Sequence, residues 1–369
     1  MTEILQLGGA LRARPAHETL KLIQPYIQKA GITRIADLTY LDCFGVPVYT
    51  CIRPNSKNLS TSQGKGITHE LAMCSAYMEA IEQYYAESEV MENRATLSEL
   101  NALFIHPAEL IAGFIKASDI SSIKFNWRNG YNLIDKNNYW VPVNYLSLDF
   151  SQIHHHDGLF KRTSTGLASG NNYEEAVCHS LFEIIERNAM REFEKLTLEN
   201  KNKRLIDIDS VNSLHNRNLI EKITSQNAEI IIFDIANQFD VPTYHCIIYD
   251  TSPFRNVGNH SGSGTHFDKN IALSRAITEA CQSRATLIAG SRDDINPQIY
   301  QQKWRSSEAQ YVINFQDRVS FNFSSFNEQL DNLLLRLVNL SYDKVIVVQY
   351  TEKNADICVV HCLVPRLVI

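Results

Sequence analysis

Apolar residues recur at helical spacing in four stretches of the chain. Across 18–30 they fall at Leu20, Ile23, Ile27 and Ala30, and Gly31 follows where a helix cap belongs. The same period predicts helices over about 70–86, 173–194 and 269–289, the last stopping at Gly290. Elsewhere the period is two. WVPVNYLSLDF at 140–150 alternates and predicts a strand. Three segments echo one another: VPVYTCI at 46–52, VPTYHCI at 241–247 and ICVVHCLV at 357–364. Apolar strands, EIIIFDI from Glu229 and KVIVVQY from Lys344, precede the last two. Each unit reads as strand, short polar turn, strand. A true repeat and mere convergence of apolar hairpins are both open readings of the echo. Three hairpin units alternating with four long helices predict an α+β fold rather than a doubly wound sheet.

Composition narrows the class. At 369 residues, 44% hydrophobic and 21% charged, the chain has the make-up of an ordinary globular protein. Lys plus Arg less Asp plus Glu is 35 − 41 = −6, with no long basic run, which argues against a nucleic-acid partner. No run of apolar residues is long enough for a membrane span, and the opening MTEILQLGGALRARPAHETL does not read as a signal peptide. Eight cysteines are scattered without a CxxC pair and read as reduced thiols, so a cytoplasmic protein is expected.

The familiar motifs are missing. Gly64-Lys65-Gly66 is followed by Ile67, so it is no Walker loop, and Gly262-Ser263-Gly264 lacks the third glycine of a dinucleotide fingerprint. No GxSxG elbow occurs. His154-His155-His156-Asp157 reads as a solvated loop before it reads as a metal site.

Glutamates on helices remain. Ser75, Glu79 and Glu82 fall within an arc of about 60° in the second helix. Glu175, Glu183, Glu186 and Arg187 span about 120° in the third, opposite Val177, Leu181, Ile184 and Ile185. Glu279, Gln282 and Arg284 repeat the theme more weakly in the fourth. Such stripes suit a solvated face. Against that, the surrounding CSAYMEAIEQYY and AVCHSLFEIIERNAM are apolar, and few lysines stand at i+4 to pair with the glutamates. Glutamates gathered in such surroundings need cations, and Mg²⁺ bridging phosphates is the natural one.

With GKG at 64–66, SAYMEAIE at 75–82, TGLASGNNYEEAVCHSLFEIIER at 165–187, then GSGTH and ALSRAITEACQSR, the chain resembles the YcaO family over nearly its whole length. The resemblance implies a YcaO-type α+β fold, a segment 1–60 contributing to the nucleotide site and a YcaO domain over 61–369. It implies ATP and Mg²⁺ as cofactors. Glu79, Glu82, Glu183, Glu186 and Arg187 are then the catalytic set. Arg12, Thr19, Lys65, Ser75, Asn171, Glu175, Glu279, Gln282 and Arg284 approach the nucleotide, and Glu79, Glu82, Glu175, Glu183 and Glu186 hold metal. The implied reaction is ATP-dependent activation of peptide backbone amides, leading to thioamide or azoline products. An accessory or docking protein that acts on no natural-product precursor is the alternative. Gln83 stands where many members carry Arg, and Asn188 where Asp is common. The LVPRLVI ending, without a PxPxP tail, casts doubt on cyclodehydration, and GITRIADLTYLDCFGVPV looks like members encoded with a TfuA-type partner. The expected partners are a precursor peptide, a separate leader-binding or TfuA-like protein, since the chain has no room for a fused leader-binding domain, and a second copy in a homodimer. Neither nucleic acid nor membrane is expected.

Overall fold

The computed structural model describes residues 4–88, 91–110, 120–151, 159–252, 254–255, 257–290 and 313–367. A short ladder pairs Leu5–Gln6 with Leu11–Arg12, and helices α1 (Ala16–Leu22) and α2 (Gln24–Lys29) follow. Strands β1 (Arg34–Asp37), β2 (Val48–Ile52) and β3 (Thr61–Lys65) lead into α3 (His69–Glu87). Strands β4 (Asn93–Ala95), β5 (Phe125–Asn132), β6 (Asn138–Pro142) and β7 (Leu167–Gly170) precede α4 (Tyr173–Glu194). Next come α5 (Leu214–Thr224), β8 (Ala228–Asp234), β9 (Thr243–Asp250), β10 (His260–Thr265) and α6 (Lys269–Ala289). Helix α7 (Phe326–Asn339) and strands β11 (Ile346–Gln349) and β12 (Cys358–Leu363) complete the chain. The α+β expectation holds, and three of the four predicted helices lie within a residue of their predicted bounds. Among the described residues no helix is long and apolar enough to cross a membrane, and the eight cysteines form no disulfide.

Two elements differ from the sequence reading. The helix expected over 18–30 is broken at buried Ile23, because Pro25 in the first turn of α2 has no N–H to donate backwards. The strand expected over 140–150 stops at Pro142, which likewise has no N–H to extend the ladder, and Val143–Leu146 forms one helical turn instead.

The echo is a structural repeat. Strands β1-β2-β3 form one antiparallel sheet backed by α3, and β8-β9-β10 form a second backed by α6. The third sheet runs β4-β5-β11-β12-β7, with β6 paired to β5, and β7 leads into α4. Its stretch β11-β12-β7-α4 repeats the same unit from two distant pieces of chain. Equivalent ladder pairs are Tyr49 with Gly64, Tyr244 with Gly264 and Val360 with Ala168. Cys51, Cys246 and Cys362 then occupy the same buried position in each unit.

Helix and strand touch closely in every unit. A Cβ on Gly64 would lie 2.1 Å from the Ala76 nitrogen, and one on Gly264 would lie 2.1 Å from the Ala272 oxygen. The facing stripes, Ala72-Ala76-Ala80 and Ala272-Ala276-Ala280, are fully buried. Small residues on both partners set the helix directly on the sheet and turn its other face outward. Gly64→Ala and Gly264→Ala are each expected to cost about 1–3 kcal/mol in urea unfolding. A loss below about 0.5 kcal/mol at both positions would show that the helices do not rest on these strands.

Candidate active site

Each of the three backing helices starts at a side-chain cap: Thr68 accepts from Leu71 N, Asn172 from Glu175 N and Asp268 from Asn270 N. Counted from these caps, the helices carry matching residues. The first tier is Ser75, His179 and Arg275, and the second is Glu79, Glu183 and Glu279. The third is Glu82, Glu186 and Gln282, and the fourth is Gln83, Arg187 and Ser283. All four tiers lie within about 100° of each helix circumference. All twelve side chains line one cavity of about 770 Å³ between the three units.

Five of the twelve are carboxylates. Glu79 accepts hydrogen bonds from Gln63 N at 3.1 Å and from Gln83 Nε2 at 3.5 Å. Glu82 accepts from Ser169 Oγ, and Glu183 accepts from Gly166 N at 3.2 Å and pairs with Arg187 at 3.5 Å. Lys65 Nζ donates to Glu279 at 2.7 Å. Burial, with repulsion from Glu79 and Glu183, pushes the Glu82 carboxyl up to about 8 against the pull of the Ser169 hydrogen bond. Burial and the Glu279 charge push Glu186 up to about 7, and burial raises Glu183 although Arg187 opposes it. Glu279 is the exception, because the Lys65 and Arg187 charges outweigh its burial and hold it low. Although partial desolvation opposes it, Arg187 is bound more firmly to its proton by Glu183, Glu186 and Glu279.

The N-terminal segment closes the opposite side. Glu175 Oε2 accepts from Ala13 N at 3.1 Å and Asn171 N at 3.2 Å, and Arg12 lies 3.8 Å from Oε1. Thr19 Oγ1 donates to Asn171 Oδ1 at 2.7 Å. The cavity therefore has a cationic side with Arg12 and Arg275 and an acidic floor of glutamates.

Among the described residues, no three His, Cys, Asp or Glu side chains close on one point as a ready-made metal centre. The donor set nevertheless suits a hard divalent ion that brings ligands of its own. Buried carboxylates that repel one another lack positive charge, and Mg²⁺ takes one or two carboxylates together with phosphate oxygens.

Every residue expected at the site borders this cavity except Arg284. Arg284 is fully buried elsewhere, donating from Nε to Asp42 at 3.0 Å and from Nη1 to Asp250 at 3.0 Å, with its guanidinium over Phe44. It stands nine residues beyond Arg275, which at 100° per residue is the far side of α6. The cation of that helix inside the cavity is Arg275. Sequence reasoning also missed His179, Gln63 and Ser169. Alignment of the three caps was the available signal for His179 and Arg275, since each sits seven residues past its cap, as Ser75 does. The His154–Asp157 run lies outside the described residues.

Comparisons with known proteins show the family and the fold. The YcaO family, described as an ATP- and Mg²⁺-binding cyclodehydratase, matches residues 63–368. A protein of Rhizobium leguminosarum bv. trifolii described only by its place in the tfuA 3′ region is 33% identical, covering 96% of this chain and 88% of its own. An uncharacterized protein of Methanothermobacter thermautotrophicus is 32% identical over 96% of this chain and 94% of its own. In fold, the chain is similar to YcaO from Methanopyrus kandleri bound with AMPPCP and Mg²⁺. That likeness has a TM-score of 0.78 at 21% identity, over 99% of this chain and 94% of the other. It is also similar to a chain of the E. coli microcin synthetase McbBCD complex with pro-MccB17, with a TM-score of 0.67 at 18% identity, over 90% and 87%. The cofactors of the family, ATP and Mg²⁺, are those its sequence motifs imply. With its three units, its acidic cavity and a family match over most of its length, this chain belongs to the YcaO family.

Proposed function

We propose that this chain uses ATP to activate a backbone amide of a peptide, leading to a thioamide in preference to an azoline. The observation that carries the reading is the convergence of Glu79, Glu82, Glu183, Glu186 and Glu279 on one cavity from three helices. Glu79, Glu82, Glu183 and Glu186 hold Mg²⁺, and Glu175 anchors the N-terminal segment across the site. Arg187, Arg12 and Arg275 face phosphate oxygens, while Ser75, Thr19, Asn171 and Gln282 supply neutral polar contacts. Lys65 keeps Glu279 charged and in place. The chemistry that ATP and Mg²⁺ supply here is phosphoryl transfer to an amide oxygen, which leaves as phosphate once a nucleophile has added at the carbon. The protein's part is positioning and charge complementarity. A separate TfuA-like partner is supported by the tfuA-region relative; delivered sulfide as that nucleophile is part of the proposal. We extend the reading to a homodimer.

The raised carboxyls make this testable by pH. Ion binding requires Glu82 and Glu186 to lose their protons, so MgATP binding should release protons and tighten from pH 6 to pH 8.5. Calorimetry in buffers of different ionisation enthalpy measures the release, and pH-independent binding without proton release would remove the carboxylates from the site. The free protein moves the other way. A carboxyl raised above its unfolded value, as Glu82 is, contributes stability below about pH 4.5 that is lost as pH rises through about 8. Glu82→Gln should therefore stabilise the free protein at pH 8 by up to a few kcal/mol, have little effect at pH 4.5 and abolish stabilisation by MgATP.

The activity is tested by mass spectrometry of candidate precursor peptides from neighbouring genes, treated with the protein, a TfuA-like partner, ATP and sulfide. A gain of 16 Da, the exchange of oxygen for sulfur, is expected. Loss of water without sulfide would point to azolines, and ATP consumption with no peptide change would overturn amide activation. Glu79→Gln, Glu186→Gln and Arg187→Ala should each reduce turnover by at least about a hundredfold with the fold intact. Near-normal turnover in any two would sink the assignment.

A further inference from the structure

Arg12 is held in an unusual way. Its guanidinium Nη1 lies 2.5 Å from Nε2 of His179, which sits in the first tier of cavity residues on α4. Guanidinium has donors only, so Nε2 must be the unprotonated, accepting nitrogen of the ring. With Nε2 accepting and the ring neutral, the imidazole proton is on Nδ1. The contact with Arg12 thus fixes the tautomer. Burial, with Arg12, Arg275 and His266 nearby, pushes the His179 pKa well down, so the ring stays neutral. Arg12 Nη1 also donates to Leu11 O at 3.1 Å, and the buried Glu175 carboxylate forms an ion pair with Nε at 3.8 Å while accepting from Ala13 N and from Asn171.

A carboxylate in the place of His179 would hold the guanidinium equally well and cancel its charge. A neutral imidazole orients it and leaves the charge available. Arg275, with its Nε buried and unpartnered, lies close enough for the two cations to repel. An anion between them relieves that repulsion.

We infer that His179 is a positioning residue that anchors Arg12 through an uncharged acceptor, adding no second carboxylate to the one Glu175 sets beside it, and so leaves Arg12 cationic for the phosphates of the nucleotide. This rests on the reading of the cavity as an MgATP site and goes beyond it in naming the group that aims Arg12 and the reason it must be neutral.

The test is calorimetric affinity for the Mg²⁺ complex of a non-hydrolysable ATP analogue, with thermal unfolding of each free variant as the stability control. Arg12→Ala should weaken binding at least about tenfold. His179→Gln, which keeps a neutral acceptor, should bind within about threefold of the parent, and His179→Ala about tenfold more weakly. His179→Glu should be weaker than His179→Ala although it keeps an acceptor, and that order separates charge preservation from simple packing. In an Arg12→Ala background, His179→Ala should add no further loss. If Arg12→Ala binds as the parent does, the placing of Arg12 at the nucleotide fails and this inference fails with it. If Arg12→Ala weakens binding but His179→Ala does not, if the two losses add in full, or if His179→Glu binds as well as His179→Gln, this inference alone is overturned.

Discussion

Five glutamates sharing one cavity, Glu186 buried and the others half-buried, repel one another, and the rest of the structure answers that repulsion. A carboxylate removed from water needs a cation or a proton. The protein provides Lys65 for Glu279 and Arg187 for Glu183, and leaves Glu82 and Glu186 with raised pKa values. On the proposed reading of the cavity, ligand binding relieves that repulsion, and the free protein exchanges stability at neutral pH for stabilisation by MgATP. That exchange is the physical content of a nucleotide site without a Walker loop.

Three copies of one small unit bring the glutamates together. No single amphipathic helix could gather them, because one helix face offers a line of side chains and not a ring. Placing a helix on each sheet through alanine and glycine leaves no room to roll, so each cap fixes the direction of every tier behind it. The tiers then differ by substitution. Where two units carry Glu82 and Glu186, the third carries Gln282. Where two carry Gln83 and Ser283, the other carries Arg187. A nearly threefold frame thus holds an asymmetric charge pattern, which an asymmetric ligand such as a nucleotide triphosphate requires.

The N-terminal segment adds what the units lack. It contributes Arg12 and Thr19 to a side of the cavity that the repeat units reach through Glu175, His179, Arg275 and the turn residue Asn171. Its attachment runs through the Glu175 carboxylate and the His179 imidazole, one charged and one neutral.

Much of this was legible in the chain itself. The periods of 3.6 and 2 placed α3, α4 and α6, and the VPxYxC echo raised a repeat as one of two open readings, because buried faces and tight strand contacts constrain residue type locally. Proline was under-read twice, at Pro25 and Pro142, where a missing N–H outweighed an unbroken apolar pattern. Angular counting from the caps would have set Arg284 apart from Arg275 without any structure. Other features depended on residues far apart in sequence. That β11 and β12 join β7 and α4 to complete the third unit, that Lys65 meets Glu279, and that Arg12 meets His179 are decided by long-range packing, to which local periodicity is blind. The sequence determined which residues each helix presents; only the tertiary structure decided which of them face one another, because charge acts through space and not along the chain.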